Sequence, residues 1–208
     1  MHYFNLLLWL VCIAGGFFAG SIMFSYLIPK AVLGRDVTAL SQDHNPGATN
    51  VFMNCGQLWG IVCLSLDMLK GFLPVFISYH ILDTENLWFG LVMAAPVLGH
   101  AIAPLNHFRG GKCIATAFGT LLGLFPVTHI VLVLAAIYIV FSTILKISPN
   151  RLRSIASFGL FGLISLITLI HSSQYSVAIG CALISATAIW KHTKRCLEGA
   201  YTPASENI

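Results

Sequence analysis

The chain has 208 residues, 57% of them hydrophobic and only 9% charged, with a formal net charge of +4. That balance, with apolar runs of membrane-spanning length such as 6–27 and 154–170, identifies a polytopic helical membrane protein. It excludes a transmembrane β-barrel, whose strands would be short and would alternate between lipid-facing and lumen-facing residues.

In chain order, the first apolar run has no basic residue ahead of it and is expected to stay as an uncleaved span near 4–28. A basic loop with Lys30 and Arg35 follows, then a polar island, Asn45-Pro-Gly-Ala-Thr-Asn-Val51. Its Pro-Gly turn, with Thr49 and Asn50 before an apolar run, is either the cap of the second helix or a helix start whose free amides hold a phosphate or carboxylate. The span near 51–79 contains a second island, Asp67-Met-Leu-Lys-Gly71. Asp67 and Lys70 lie three residues apart, on one helical face, where pairing lowers the cost of holding both in a membrane. Gly71 lets another segment approach that face, so these three residues are expected to be structural, orienting the neighbouring loops.

The acidic connection 80–86, with Asp83 and Glu85, precedes a span near 87–106 that carries His100 at its inner end, where an imidazole can act as base or donate to phosphate. The third island, Phe108-Arg-Gly-Gly-Lys-Cys-Ile-Ala-Thr116, sets Gly110 and Gly111 between Arg109 and Lys112. Amides and charge at the mouth of a new helix suit a phosphate, although the spacing is not that of a Walker motif. Spans near 154–171 and 177–190 complete the apolar segments.

The basic clusters Lys30/Arg35, Arg109/Lys112, Lys146/Arg151/Arg153 and Lys191/Lys194/Arg195 are all expected to be cytoplasmic. That places the N-terminus outside and the C-terminus inside, and requires 113–145 to cross twice with a break near 123–126. The expected fold is therefore an all-α bundle of about seven spans. One domain is expected over 1–198, followed by a polar tail over 199–208. Of the six cysteines, Cys12, Cys63 and Cys181 sit within apolar runs and none forms a Cys-x-x-Cys pair; they are read as small buried hydrophobes. His192 and Cys196 share a helical face, but two ligands do not make a zinc site, so no metal is assigned. His44, His107 and His129 have too little context to carry a role. On this topology the three islands converge in the cytoplasmic half of the membrane.

The order of these elements carries a resemblance. Gly20-Ser-Ile-x-Phe-x-Tyr26, Asn-Pro-Gly-Ala-Thr-Asn-Val, Leu66-Asp-x-x-Lys-Gly, Gly99-His100, Phe108-x-Gly-Gly-Lys112 and Ala115-Thr116-Ala-Phe-Gly119 together resemble the bacterial PlsY-type acyl-phosphate:glycerol-3-phosphate acyltransferases. The resemblance implies an enzyme of the inner membrane, multi-pass, with its site on the cytoplasmic side. It would move an acyl group from acyl phosphate to the 1-hydroxyl of glycerol 3-phosphate, giving lysophosphatidic acid for phospholipid synthesis. It implies no cofactor, no metal, no thioester donor and no nucleic-acid partner, a membrane-lipid environment, and an oligomeric state left open. The activated donor needs two anions held together and a hydroxyl oriented, and its own phosphate can accept the proton. His100 and Lys112 are then candidate catalytic residues, with Asn45, Gly47, Thr49, Asn50, Arg109, Gly110, Gly111, Thr116 and His192 as phosphate or substrate ligands.

The departures from the family pattern are specific. Members read Gly-Ser-Gly-Asn before the Pro-Gly, with an arginine three residues after the last Asn; here the stretch is Gln42-Asp43-His44-Asn45, and Met53 stands at the arginine position. Ser41 lies near enough to replace the serine after a loop shift and is carried as a third catalytic candidate. The family's His-x-x-Asn becomes Ile189-x-x-His192, and the glycine after the motif lysine is Cys113. Lost charge-assisted contacts commonly cost about 1.5–3 kcal/mol each. An alternative is therefore a catalytically degenerate relative that binds or senses a lipid phosphate. A transporter is a third reading, with no internal repeat to support it.

Overall fold

The computed structural model describes residues 2–125 and 128–200, with side chains over 6–125 and 128–193. Among the described residues every regular element is helical: α1 His2–Ser21, α2 Phe24–Leu33, α3 Val37–Leu40, α4 Ala48–Cys55, α5 Gln57–Ile81, α6 Phe89–Ile102, α7 Ile114–Leu122, α8 Ile130–Ile139, α9 Asn150–His171 and α10 Tyr175–Ala200. A 3-10 turn over Pro104–Asn106 follows α6, and a π-type turn over Val140–Ile144 extends α8.

Three segments are long and apolar enough to cross a membrane: Gln57–Ile81, Phe89–Asn106 and Asn150–His171. A fourth candidate is the pair Leu6–Ser21 and Phe24–Leu33, bent by 44° at the intervening break. The expected second span is divided in the structure. Gly56 takes φ +93, a backbone region that side chains rarely adopt, and separates the short α4 from the long α5. Thr49 and Asn50 fall inside the first turn of α4, and the cap is Gly47, which offers the helix start no side chain. The stretch 113–145 forms two short helices, α7 and α8; residues 126–127 of the expected break, and 201–208 of the expected tail, lie outside the described residues.

The bundle keeps its polar groups inside and turns apolar side chains outward. Leu10, Phe18, Leu58, Ile61, Leu132, Leu163 and Ile167 are exposed, whereas Asp67, Lys70, His100, Ser154 and His192 are buried. Water would oppose that arrangement and lipid favours it. Phe89, Val92, Met93, Leu121, Leu134, Phe158, Phe161 and Ile184 form the main core. Helix α6 packs between α1 and α10, α9 lies along α10, and α5 packs on α4 and α7. The close approach of α5 and α7 depends on Gly119, where a Cβ would strike the Met68 carbonyl, and on Gly71, where it would strike that of Thr116. These contacts bring the segment before α7 beside the polar face of α5.

Candidate active site

The site is assembled from chain breaks near one end of the bundle. The Pro-Gly turn before α4 and the glycine pair before α7 keep backbone out of regular helix, and their side chains meet. Lys112 Nζ lies 2.6 Å from Asp43 Oδ2, an ion pair spanning 69 positions of sequence. Asn50 Nδ2 donates to Asp43 Oδ1 at 2.8 Å and to the Asn45 carbonyl at 2.7 Å, and the Asn45 amide donates to Asp43 Oδ1 at 3.2 Å. Partial burial alone would raise the Asp43 carboxyl. The hydrogen bonds from Lys112 and Asn50, with the Lys112 charge, outweigh it and hold the group below its ordinary value.

Deeper in the bundle, Asp67 Oδ1 and Lys70 Nζ pair at 2.8 Å, both almost fully buried. Ser25 Oγ donates to Asp67 Oδ2 at 2.5 Å, and Lys70 also donates to the Ile22 carbonyl. This network ties α5 to α2 and to the break between α1 and α2. His100 is braced on two sides: its Nδ1 lies 3.1 Å from Thr116 Oγ1, and Gly111 sits so close that a Cβ there would overlap the imidazole. The Gly111 amide donates to the His100 carbonyl at 3.1 Å, so the segment leading to Lys112 is pinned to the end of α6.

These groups border a cavity of about 560 Å³. Of the residues predicted from sequence, Asn45, Gly47, Thr49, Asn50, Asp67, His100, Lys112 and His192 line it. Lys70, Gly71, Gly110, Gly111 and Thr116 lie behind its wall as packing and hydrogen-bonding partners. Arg109 is exposed and Ser41 buried, both off the cavity wall. Ser41 Oγ has no hydrogen-bond partner, and neither has Asn45 Oδ1, a buried acceptor at the cavity. Met53, 78% exposed, lies at the rim and supplies no charge. The remainder of the wall is apolar, with Leu64, Met68, Ile114 and Phe118. One chamber therefore offers polar groups suited to an anion beside a surface suited to an acyl chain.

Sequence reasoning missed the facing wall. Tyr138 from α8 and Asn150, Arg153 and Ser154 from the first turn of α9 also line the cavity. Arg153 Nη2 donates to Asn150 Oδ1 at 2.8 Å, and Ser154 Oγ donates to the Asn150 carbonyl at 3.0 Å. The available signal was Arg151-x-Arg153-Ser154 at the start of a helix, which the charge rule read only as an anchor on the cytoplasmic side.

A helical membrane bundle enclosing a half-polar, half-apolar chamber defines a class of protein that handles an amphiphile. Residues 10–199 match the family model described as glycerol-3-phosphate acyltransferase, and the chain belongs to that family. It is 32% identical over 179 residues to a glycerol-3-phosphate acyltransferase of Hydrogenobaculum sp. (strain Y04AAS1), covering 85% of this chain and 86% of that one. It is similar to the crystal structure of PlsY, an integral membrane glycerol 3-phosphate acyltransferase, in its glycerol 3-phosphate form, with TM-score 0.76, 27% identity and 92% of each chain covered. The lysophosphatidic acid form of PlsY matches with TM-score 0.74 at the same identity and coverage.

Proposed function

We propose that the protein transfers an acyl group from acyl phosphate to the 1-hydroxyl of glycerol 3-phosphate, releasing lysophosphatidic acid and inorganic phosphate. The observation that carries this reading is the single chamber in which Lys112 and the Asn45–Asn50 turn face an apolar wall. In the proposed reaction the acceptor oxygen attacks the acyl carbonyl carbon, a new C–O ester bond forms, and the acyl–phosphate C–O bond breaks. The departing phosphate takes the hydroxyl proton, so no strongly basic side chain is required.

Lys112 neutralises the donor phosphate and the charge that grows on it as the bond breaks. For this it must exchange Asp43 for substrate. Asn45, which lines the chamber beside the Pro-Gly turn, borders the path of the acceptor hydroxyl. Thr49, Asn50 and the Gly47 backbone border the phosphate path, and His192 borders it from α10. His100 braces the Lys112 segment through Gly111 and Thr116. Leu64, Met68, Ile114 and Phe118 take the acyl chain. The proposed topology is seven crossings in the bacterial inner membrane, with the N-terminus outside, the C-terminus cytoplasmic and the chamber opening on the cytoplasmic side. The four basic loop clusters support it.

The test supplies purified protein with glycerol 3-phosphate and palmitoyl phosphate and measures lysophosphatidic acid. The expected product exceeds that of Lys112→Ala. No excess from a well-folded preparation rejects acyl transfer and favours a relative that only binds a lipid phosphate.

A further inference from the structure

The chamber has a second cation, and its surroundings differ from those of Lys112. Lys112 already faces a carboxylate, Asp43, whereas Arg153 forms no ion pair with a carboxylate among the described residues. Its Nη2 donates to Asn150 Oδ1 at 2.8 Å, and the residue is only partly buried where it lines the chamber. The Nη2 hydrogen bond fixes the plane of the guanidinium, which orients its planar fork for an oxyanion. Arg153 stands in the first turn of a 22-residue helix, whose positive end adds to its field.

From this geometry we infer that Arg153 is the specificity residue that grips the phosphate of the acceptor alcohol, in a subsite on α9 facing the wall that carries Lys112. The inference rests on the acyl-transfer reading for the identity of that acceptor. Two phosphates must occupy the chamber at once, since the donor brings one and the acceptor brings another. Their mutual repulsion is eased when each phosphate has its own cation. Met53 supplies none, so on the wall built from the Pro-Gly turn and the segment before α7, Lys112 is the one lysine or arginine lining the chamber among the described residues. Arg153 offers a planar fork that can hold a phosphomonoester through two hydrogen bonds, with Asn150 fixing its orientation. Held there, the acceptor would extend its glycerol hydroxyls across the chamber towards Asn45.

The test compares wild type, Arg153→Ala and Arg153→Lys in steady-state assays varying each substrate, and titrates the same proteins calorimetrically with glycerol 3-phosphate. Arg153→Ala is expected to raise KM and Kd for glycerol 3-phosphate by about 10- to 100-fold, the loss typical of a charge-assisted contact. The KM for acyl phosphate should stay within about threefold, and Arg153→Lys should recover only part of the loss because charge returns without the fork. With unphosphorylated glycerol as acceptor, wild type and Arg153→Ala should perform alike. An unchanged KM for glycerol 3-phosphate overturns the inference, as does a rise confined to acyl phosphate. If Arg153→Ala does not fold, Arg153→Gln is read by the same criteria. Glycerol 3-phosphate binding that depends on Arg153 without turnover would reject acyl transfer and keep the subsite. Turnover indifferent to Arg153 would do the reverse, and no binding to wild type would reject both.

Discussion

The two walls of the chamber are built on opposite principles. The motif-bearing wall, from the Pro-Gly turn, α5 and the segment before α7, has its charges matched internally: Lys112 with Asp43, and Lys70 with Asp67. The facing wall, from α8, α9 and α10, presents Arg153 with an amide for support and, among the described residues, no carboxylate within ion-pair distance. A glycine-rich motif thus marks where the backbone turns and where the site lies. It does not by itself say which charge remains available to a substrate.

The strongest way to break this comparison is to remove a matched partner on the first wall. Asp67→Ala would leave Lys70 buried in the bundle with the Ile22 carbonyl as its hydrogen-bond acceptor, and should destabilise the protein by about 3–5 kcal/mol. A large fall in melting temperature in detergent would register it. Replacing both partners by Leu and Met should cost far less, since neither charge then remains unpaired. Equal loss in the single and double variants would show that the pair is not the relevant unit.

Next in size is Lys112→Ala. If Lys112 neutralises the departing phosphate, kcat should fall by about 10²- to 10³-fold, in the range seen when one stabilising donor is lost. Melting temperature should hardly change, because the Asp43 side chain that loses its partner is partly exposed. A smaller kinetic effect than that of Arg153→Ala would reverse the roles of the two walls.

A gain of function sharpens the same contrast. Asp43→Ser with Met53→Arg takes a competing carboxylate from Lys112 and adds a cation at the rim. We expect about a tenfold rise in kcat/KM, roughly the worth of one charge-assisted contact. An unchanged rate would show that substrate displaces Asp43 at little cost and that position 53 is not needed.

The smallest effect is a pH dependence. Hydrogen bonds from Lys112 and Asn50 prevail over burial to hold the Asp43 carboxyl below its ordinary value. A depressed acid stabilises the fold fully above its unfolded value, near about pH 4, and loses that contribution as pH falls through the lower folded value. The difference in melting temperature between wild type and Asp43→Asn should therefore be flat from pH 5 to 8 and shrink below about pH 4. A slope near neutrality would assign the titration to another group.

The sequence by itself determined the features that are local in the chain. Long continuous apolar runs set an all-helical membrane class, because backbone groups in lipid must be paired within helices or closed barrels and barrel strands would be short and alternating. Spacing placed Asp67 and Lys70 on one helical face, and Pro46-Gly47 and Gly110-Gly111 marked the turns. Tertiary structure alone decided what lies across the chamber. The meeting of Asp43 and Lys112 depends on how α5 and α7 approach through Gly71 and Gly119. Packing also left Ser41 and Arg109 off the wall, put Thr116 behind His100, and turned Arg153 from an apparent loop anchor into a lining residue. Helical periodicity gives the faces a residue can share, but which face meets a cavity is set by the helices packed around it.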